Sequence, residues 1–263
     1  MANYDILGNI AIIKFNEEIS QEEKLKQAEE LLKIPSVKTV LEKIDKVKGR
    51  LRTIQTRYLV GEKNKIALYK ENGCLFKLNI ESCYFSPRLA NDRKEVALSI
   101  KKNERVLVMF SGVSPYPIVI SKYSKAKEII AVELGRECCK YASENVRLNK
   151  IKNVQIIQGD VKKVIPKLFG KLNKKEMAKF DVVVMARPNL KDSFLKYGLM
   201  VAKKNARIIY HGFWKESEKD KEIIKLVKEA KKLKRKISIV KVKEIGDIAP
   251  YEHRYRVEFK VLD

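Results

Sequence analysis

The 263-residue chain holds 57 lysines and arginines against 33 acidic residues, a formal net charge of +24. A hydrophobic content of 45% argues against disorder, and the length is enough for two packed domains. No run approaches the roughly 18–20 apolar residues that span a bilayer. The start, MANYDILGNI, lacks the basic opening and apolar run of a signal peptide, so a cytoplasmic location without membrane attachment is expected. The charge points to a polyanionic partner, because each phosphate neutralised releases condensed counterions. A lysine-rich proteome would give the same balance without any such partner.

The first elements are short. Residues 4–15, YDILGNIAIIKF, form a β-rich run broken by a Gly8-Asn9 turn. A helix is expected over residues 20–33. Ser20 offers the N-cap, Glu23 completes the capping-box spacing, and Leu25, Ala28, Leu31 and Leu32 share a face before Pro35 stops it. Strand-like pieces follow at residues 37–41, 53–60 and 65–69. The turn Glu71-Asn72-Gly73 then leads into residues 74–80. Residues 1–83 read as a small α+β domain suited to RNA recognition.

From residue 84 to 263 the pattern alternates. Strands are expected at residues 105–110, 129–133, 154–158, 180–185 and 206–211, with helix-length segments between them. A helix with Ile223, Leu226, Val227, Ala230 and Leu233 on one face precedes two last strands, 236–243 and 254–261. Runs such as VLVMF, IIAVE and DVVVM are apolar throughout, as for strands covered on both faces. This order implies an α/β fold: a doubly wound, Rossmann-like, mainly parallel sheet of seven strands. Residues 167–179 read as an exposed basic connection. The four cysteines lack a CxxC pair and the histidines are only two, His211 and His253. Reduced thiols and no metal site are therefore expected.

In such sheets ligands bind beyond the carboxyl ends of the strands. The first of these strands runs into Phe110-Ser111-Gly112-Val113-Ser114-Pro115, a small-residue loop whose amides can approach a ligand. The second ends at Glu133, suited to two ribose hydroxyls, and the third is followed by Gly159-Asp160-Val161, suited to an adenine amino group. Each alone has a plain structural reading, Asp160 as a helix cap and Glu133 as a solvated charge. Together they indicate a nucleoside ligand. A dinucleotide needs G-x-G-x-x-G, and only Gly112 is present. The Phe-Ser-Gly-Val loop, the acidic end of the second strand and the Gly-Asp after the third resemble a class I methyltransferase, and that resemblance implies S-adenosylmethionine as cofactor, bound by Phe110, Gly112, Glu133, Asp160 and Val161.

Residues 70–97, KENGCLFKLNIESCYFSPRLANDRKEVA, closely resemble the archaeal and eukaryotic tRNA (guanine-37-N1)-methyltransferases. The opening YDILGNIAIIKF and the closing APYEHRYRVEFKV are similar to that family too. The resemblance runs over nearly the whole chain, without the extra N-terminal domain of many relatives. It implies methyl transfer to N1 of the guanine following the tRNA anticodon. It also implies Tyr84 near the target base, and Arg88 and Arg93 holding the base or neighbouring phosphates. Asp92 stands where the family has a glutamate proposed to take the N1 proton. Arg52 corresponds loosely to another base-contacting arginine. Without the family, Arg88 and Asp92 read as an ion pair at a helix start.

The chain departs from the family pattern at several positions. Met109 replaces an aspartate, Ser114 replaces a second glycine, and Ala186-Arg187-Pro188-Asn189 replaces N-L-P. Pro188 still suits a rigid turn at the catalytic edge, and Arg187 suits either a phosphate or solvent. The R-P version resembles an archaeal branch tied to wyosine-type hypermodification. Three readings follow: guanine N1 methylation, another wyosine-pathway transfer (methylation of a tricyclic guanine or aminocarboxypropyl transfer), and tRNA binding without catalysis. A monomer is expected.

Overall fold

The computed structural model describes residues 3–15, 19–44, 49, 52–170 and 179–263. Strands β1 (Asn3–Leu7) and β2 (Ile10–Lys14) form the expected hairpin, and helix α1 (Gln21–Leu32) follows. The Ser20 side chain accepts the Glu23 amide at 3.1 Å, as its capping position requires. Strands β3 (Thr39–Lys43) and β4 (Thr56–Gly61) complete a sheet of order β1-β2-β3-β4. Its apolar face meets α1 through Ala11, Ile13, Ala28, Leu31, Val40 and Leu59.

Strands β5 (Ile66–Glu71) and β6 (Cys74–Asn79) form a separate hairpin that joins this sheet to the rest. The β1–β2 turn is tied to β5. Asn9 Oδ1 accepts the Leu68 amide at 2.8 Å, and Gly8, at φ +61°, lies where any Cβ would strike the Leu68 carbonyl. Glycine is required there on both counts.

After α2 (Ala90–Ser99) the chain alternates through β7 (Arg105–Met109), α3 (Pro115–Tyr123), β8 (Glu128–Glu133), α4 (Arg136–Leu148), β9 (Val154–Gln158), α5 (Val161–Gly170), β10 (Phe180–Met185), α6 (Leu195–Val201) and β11 (Ala202–Lys215). Helix α7 (Lys219–Lys232), β12 (Ile237–Ala249) and β13 (Glu252–Val261) close it. The seven strands lie in the order β12-β13-β11-β10-β7-β8-β9. All neighbours from β11 to β9 pair in parallel, whereas β13 runs antiparallel between β11 and β12. Strand order therefore reverses between β7 and β10, the switch point where such sheets open a crevice. Strands β11 and β12 extend well beyond the expected spans, and β13 starts two residues earlier than expected. Of the expected basic connection, residues 167–170 close α5 and residues 171–178 lie outside the described residues.

Helix α4 binds the hairpin through two asparagines one turn apart. Asn145 accepts the Lys77 amide at 2.7 Å and donates to the carbonyls of Lys77 and Val113. Asn149 accepts the Leu75 amide at 2.8 Å and donates to its carbonyl at 2.7 Å. The side chains supply the partners that an edge strand otherwise lacks. They fix the segment after β6 against the loop after β7, which together form the mouth of the crevice. No helix among the described residues is long and apolar enough to cross a membrane.

Candidate active site

The crevice contains a cavity of about 1020 Å³, counting its open mouth. One side is made by the strand ends. Phe110, Gly112, Glu133, Asp160 and Val161, all expected to bind cofactor, line it together. Glu133 is the centre of this wall. Its Oε2 accepts the Gly112 amide and its Oε1 the Gly135 amide, each at 2.8 Å. Its own carbonyl accepts the Gly159 amide at 2.7 Å. Burial raises the Glu133 carboxyl above its ordinary pKa, against the opposing pull of the Gly135, Gly112 and Leu134 amides. Each carboxylate oxygen keeps a lone pair for a hydroxyl donor.

The loop after β7 is strained. Phe110, Gly112 and Ser114 have φ of 61°, 56° and 67°. Gly112 accepts this at no steric cost, and a Cβ there would meet nothing closer than the Tyr84 carbonyl at 3.7 Å. Phe110 is braced edge-on against Phe194 at 4.9 Å. Ser114, in the family's second-glycine position, begins α3 in the left-handed region, and its buried hydroxyl has no partner. We expect Ser114→Gly to stabilise the fold by about 1 kcal/mol. Urea unfolding checks this, and a loss of stability would show that Ser114 has a use the strain conceals.

The other side of the cavity is cationic and aromatic. Arg52 lies over the Tyr84 ring, 3.9 Å from its centroid, and Arg254 donates to the Tyr84 hydroxyl at 3.4 Å. Neither guanidinium has a carboxylate partner among the described residues, and the Nε of each is buried without an acceptor. Burial raises the Tyr84 hydroxyl pKa, but Arg254 and Arg52 outweigh it and hold it below its ordinary value. Ala186, Arg187, Pro188 and His211 complete this wall.

Four expected roles change with the geometry. Arg93 lines the cavity but grips no phosphate: its buried guanidinium forms two 2.5 Å bonds to Glu71 and a third to the Ser86 carbonyl. Arg187 is buried and donates to the carbonyls of Leu190 and Asp192, so it shapes its own loop instead of facing phosphate or solvent. Asp92 lies beneath the cavity, outside its lining. Arg256 Nη1 donates to its Oδ1 at 2.5 Å, the Tyr116 hydroxyl donates to its Oδ2, and His211 Nε2 stands 3.5 Å away. Burial pushes the Asp92 carboxyl up, yet His211, Arg256 and Tyr116 together bring it down to about 2. Arg88 pairs with exposed Asp5 at 3.1 Å instead of with Asp92, and it too lies outside the cavity.

His211, Arg254, Arg256 and Tyr116 were not among the expected site residues. The one visible trace was in HRYRVEFKV, where Arg254 and Arg256 share one face of a strand whose other face carries Tyr255, Val257, Phe259 and Val261, a pattern that calls for buried partners. All four cysteines are buried and free, and the Cys83 and Cys138 sulfurs lie 2.9 Å apart. Among the described residues Glu244, Asp247 and His253 could together hold a metal ion; they sit on the β12–β13 hairpin and do not line the cavity.

A nucleoside-type pocket at the switch point, facing an arginine-lined recess, is the arrangement of a class I methyltransferase. Residues 67–240 match the TRM5/TYW2 methyltransferase domain and residues 1–64 the TYW2 N-terminal domain. The chain belongs to the TRM5/TYW2 methyltransferase family. It is 31% identical over 305 residues to the tRNA (guanine(37)-N(1))/4-demethylwyosine(37)-methyltransferase Taw22 of Nanoarchaeum equitans, covering 99% of this chain and 100% of that one. Wild-type Trm5b from Pyrococcus abyssi superposes with a TM-score of 0.85 at 29% identity, covering 99% of this chain and 75% of the other. TYW2 of M. jannaschii, solved in complex with AdoMet, superposes at 0.74 with 25% identity, covering 99% of both.

Proposed function

We propose that this chain methylates N1 of guanine 37 in tRNA, using S-adenosylmethionine. The observation that carries the reading is the junction of two half-sites in one cavity. The Glu133 wall suits a nucleoside with two ribose hydroxyls, and the Arg52–Tyr84–Arg254 wall suits an electron-rich base. The orphaned buried Ser111 hydroxyl and the amide-lined carboxylate of Glu133 fit that cofactor. Phe110, Gly112, Glu133, Asp160 and Val161 would hold it, and it supplies an electrophilic methyl group when bound.

The remaining residues position the acceptor. Tyr84 and Arg52 offer a stacked face, while half-buried Arg52 and buried Arg254 favour a base carrying developing negative charge. Pro188 holds the turn that closes the far side. Arg88, exposed at the rim, is available for backbone phosphate, and the net charge of +24 favours tRNA over small acceptors. A second reading, methylation of a tricyclic guanine derivative, is favoured by Ala186: a methyl group in place of the family's asparagine leaves room for a third ring. Aminocarboxypropyl transfer would use the same pocket with a different carbon at the sulfonium.

Methyl transfer from labelled S-adenosylmethionine to unmodified tRNA transcripts tests the assignment. Label should appear with guanine at position 37 and not with adenine. Label only on tRNA carrying a wyosine precursor would transfer the assignment to the second reading. A product mass showing the larger aminocarboxypropyl group would replace both.

A further inference from the structure

We propose that His211 takes the N1 proton from the target guanine, and that Asp92 acts through it as the orienting carboxylate. The inference rests on the guanine-methylation reading and deepens it. The proton acceptor must touch the base, and His211 lines the cavity whereas Asp92 does not. Both Asp92 oxygens are already engaged, Oδ1 by Arg256 and Oδ2 by the Tyr116 hydroxyl. A carboxylate with those partners is a weak base. What it can do is hold an imidazole. His211 Nε2 is 3.5 Å from Asp92 Oδ2 and 3.3 Å from the Tyr116 hydroxyl. With Nε2–H turned toward that pair, Nδ1 is the nitrogen left to accept a proton, and no described residue bonds to it.

Charged groups reach His211 from every side. Strand β13 brings Arg254 and Arg256, paired with Phe213 and His211 across the ladder. Helix α2 brings Asp92 and sets Arg93 over the Tyr116 ring, helix α3 brings the Tyr116 hydroxyl, and the loop after β10 brings Arg187, whose Nη1 lies 3.4 Å from the His211 carbonyl. Burial holds the imidazole below its ordinary pKa, with Asp92 pulling the other way and Arg254 and Arg256 adding to the effect of burial. The ring is therefore neutral near pH 7 and able to accept. In the step, the N1–H bond breaks and its proton passes to Nδ1, while the N1 electron pair forms the bond to the methyl carbon. The carbon–sulfur bond breaks with its pair left on sulfur, which becomes a neutral thioether. The proton on His211 is stabilised by Asp92 until it returns to water.

The chain has two histidines, His211 and His253, so ¹⁵N-histidine labelling gives two ring systems, and His253→Gln assigns them. The single-turnover methylation rate of guanine-37 tRNA should rise with pH along a limb below about pH 6.5 that coincides with the His211 titration. His211→Gln should slow transfer on the order of 100-fold, abolish that limb and leave S-adenosylmethionine affinity unchanged. Asp92→Asn should move the limb to lower pH. An acid limb that does not follow His211, or a His211→Gln rate within about threefold of wild type, overturns this role and leaves the methylation reading intact. Absence of any transfer to guanine-37 tRNA by the wild type overturns the reading itself, and this role with it.

Discussion

Replacing Arg93 with methionine lowers the stability of the fold by about 3–5 kcal/mol. The pair it forms with Glu71 is almost wholly buried, at 2% and 3% side-chain exposure, with two 2.5 Å bonds between fork and carboxylate. Such a pair adds little over well-packed apolar residues, because both ions were desolvated to make it. Removing one partner is different: Glu71 would remain as a buried anion without the guanidinium that holds both of its oxygens. Urea unfolding followed by circular dichroism measures the loss, and the double variant Glu71→Leu with Arg93→Met should recover most of it. A single-variant loss below about 1 kcal/mol would mean that water reaches the pair and that its burial is not maintained in solution. Since Arg93 also holds the Ser86 carbonyl at 2.9 Å, the same variant should loosen the Tyr84–Ser86 rim of the cavity.

Glu133→Ala should weaken S-adenosylmethionine binding at least about 100-fold. Hydrogen bonds to a charged group contribute about 1.5–3 kcal/mol each, and two ribose hydroxyls make two of them. The variant also leaves the Gly112 and Gly135 amides without their acceptor, so the loop after β7 loses the contact that orients it. Titration calorimetry at neutral pH reads the effect, with circular dichroism confirming the fold. Affinity within about threefold of wild type would remove the carboxylate from the cofactor site. The sign of the pH dependence follows from burial. The Glu133 carboxyl is raised above 4.5, so cofactor affinity is full at neutral pH and declines on acidification earlier than for an ordinary glutamate.

The Glu133 wall of the cavity was legible because its parts are local. Gly112, Glu133 and Asp160 each sit at the end of a strand recognisable from a continuous apolar run, and the doubly wound fold dictates that those ends meet. The capping of α1 by Ser20 and the Gly8-Asn9 turn were equally readable, since a cap and a tight turn depend on a few adjacent residues. The acceptor wall was less so. Arg52, Tyr84 and Pro188 came from resemblance to a family, and their convergence depends on the hairpin β5–β6 being held to α4 by Asn145 and Asn149. No local pattern marks those asparagines, which look like ordinary helix residues until an unpaired strand edge lies opposite.

What the sequence by itself determined is the set of elements, their order in an α/β sheet and the polyanion-seeking charge, because periodicity, capping and net charge are properties of neighbouring residues or simple sums. Only the tertiary structure decided which charged groups face the ligand. Arg93 and Arg187 are the same residue type as Arg52 and Arg254, yet the fold gives the first two buried partners and, among the described residues, leaves the other two without a carboxylate. That sorting depends on pairings such as Arg93 with Glu71 and Asp92 with Arg256, the second 164 positions apart. A buried charge is spent or available according to what packs against it, and that neighbour is set by the sheet, not by the chain around it.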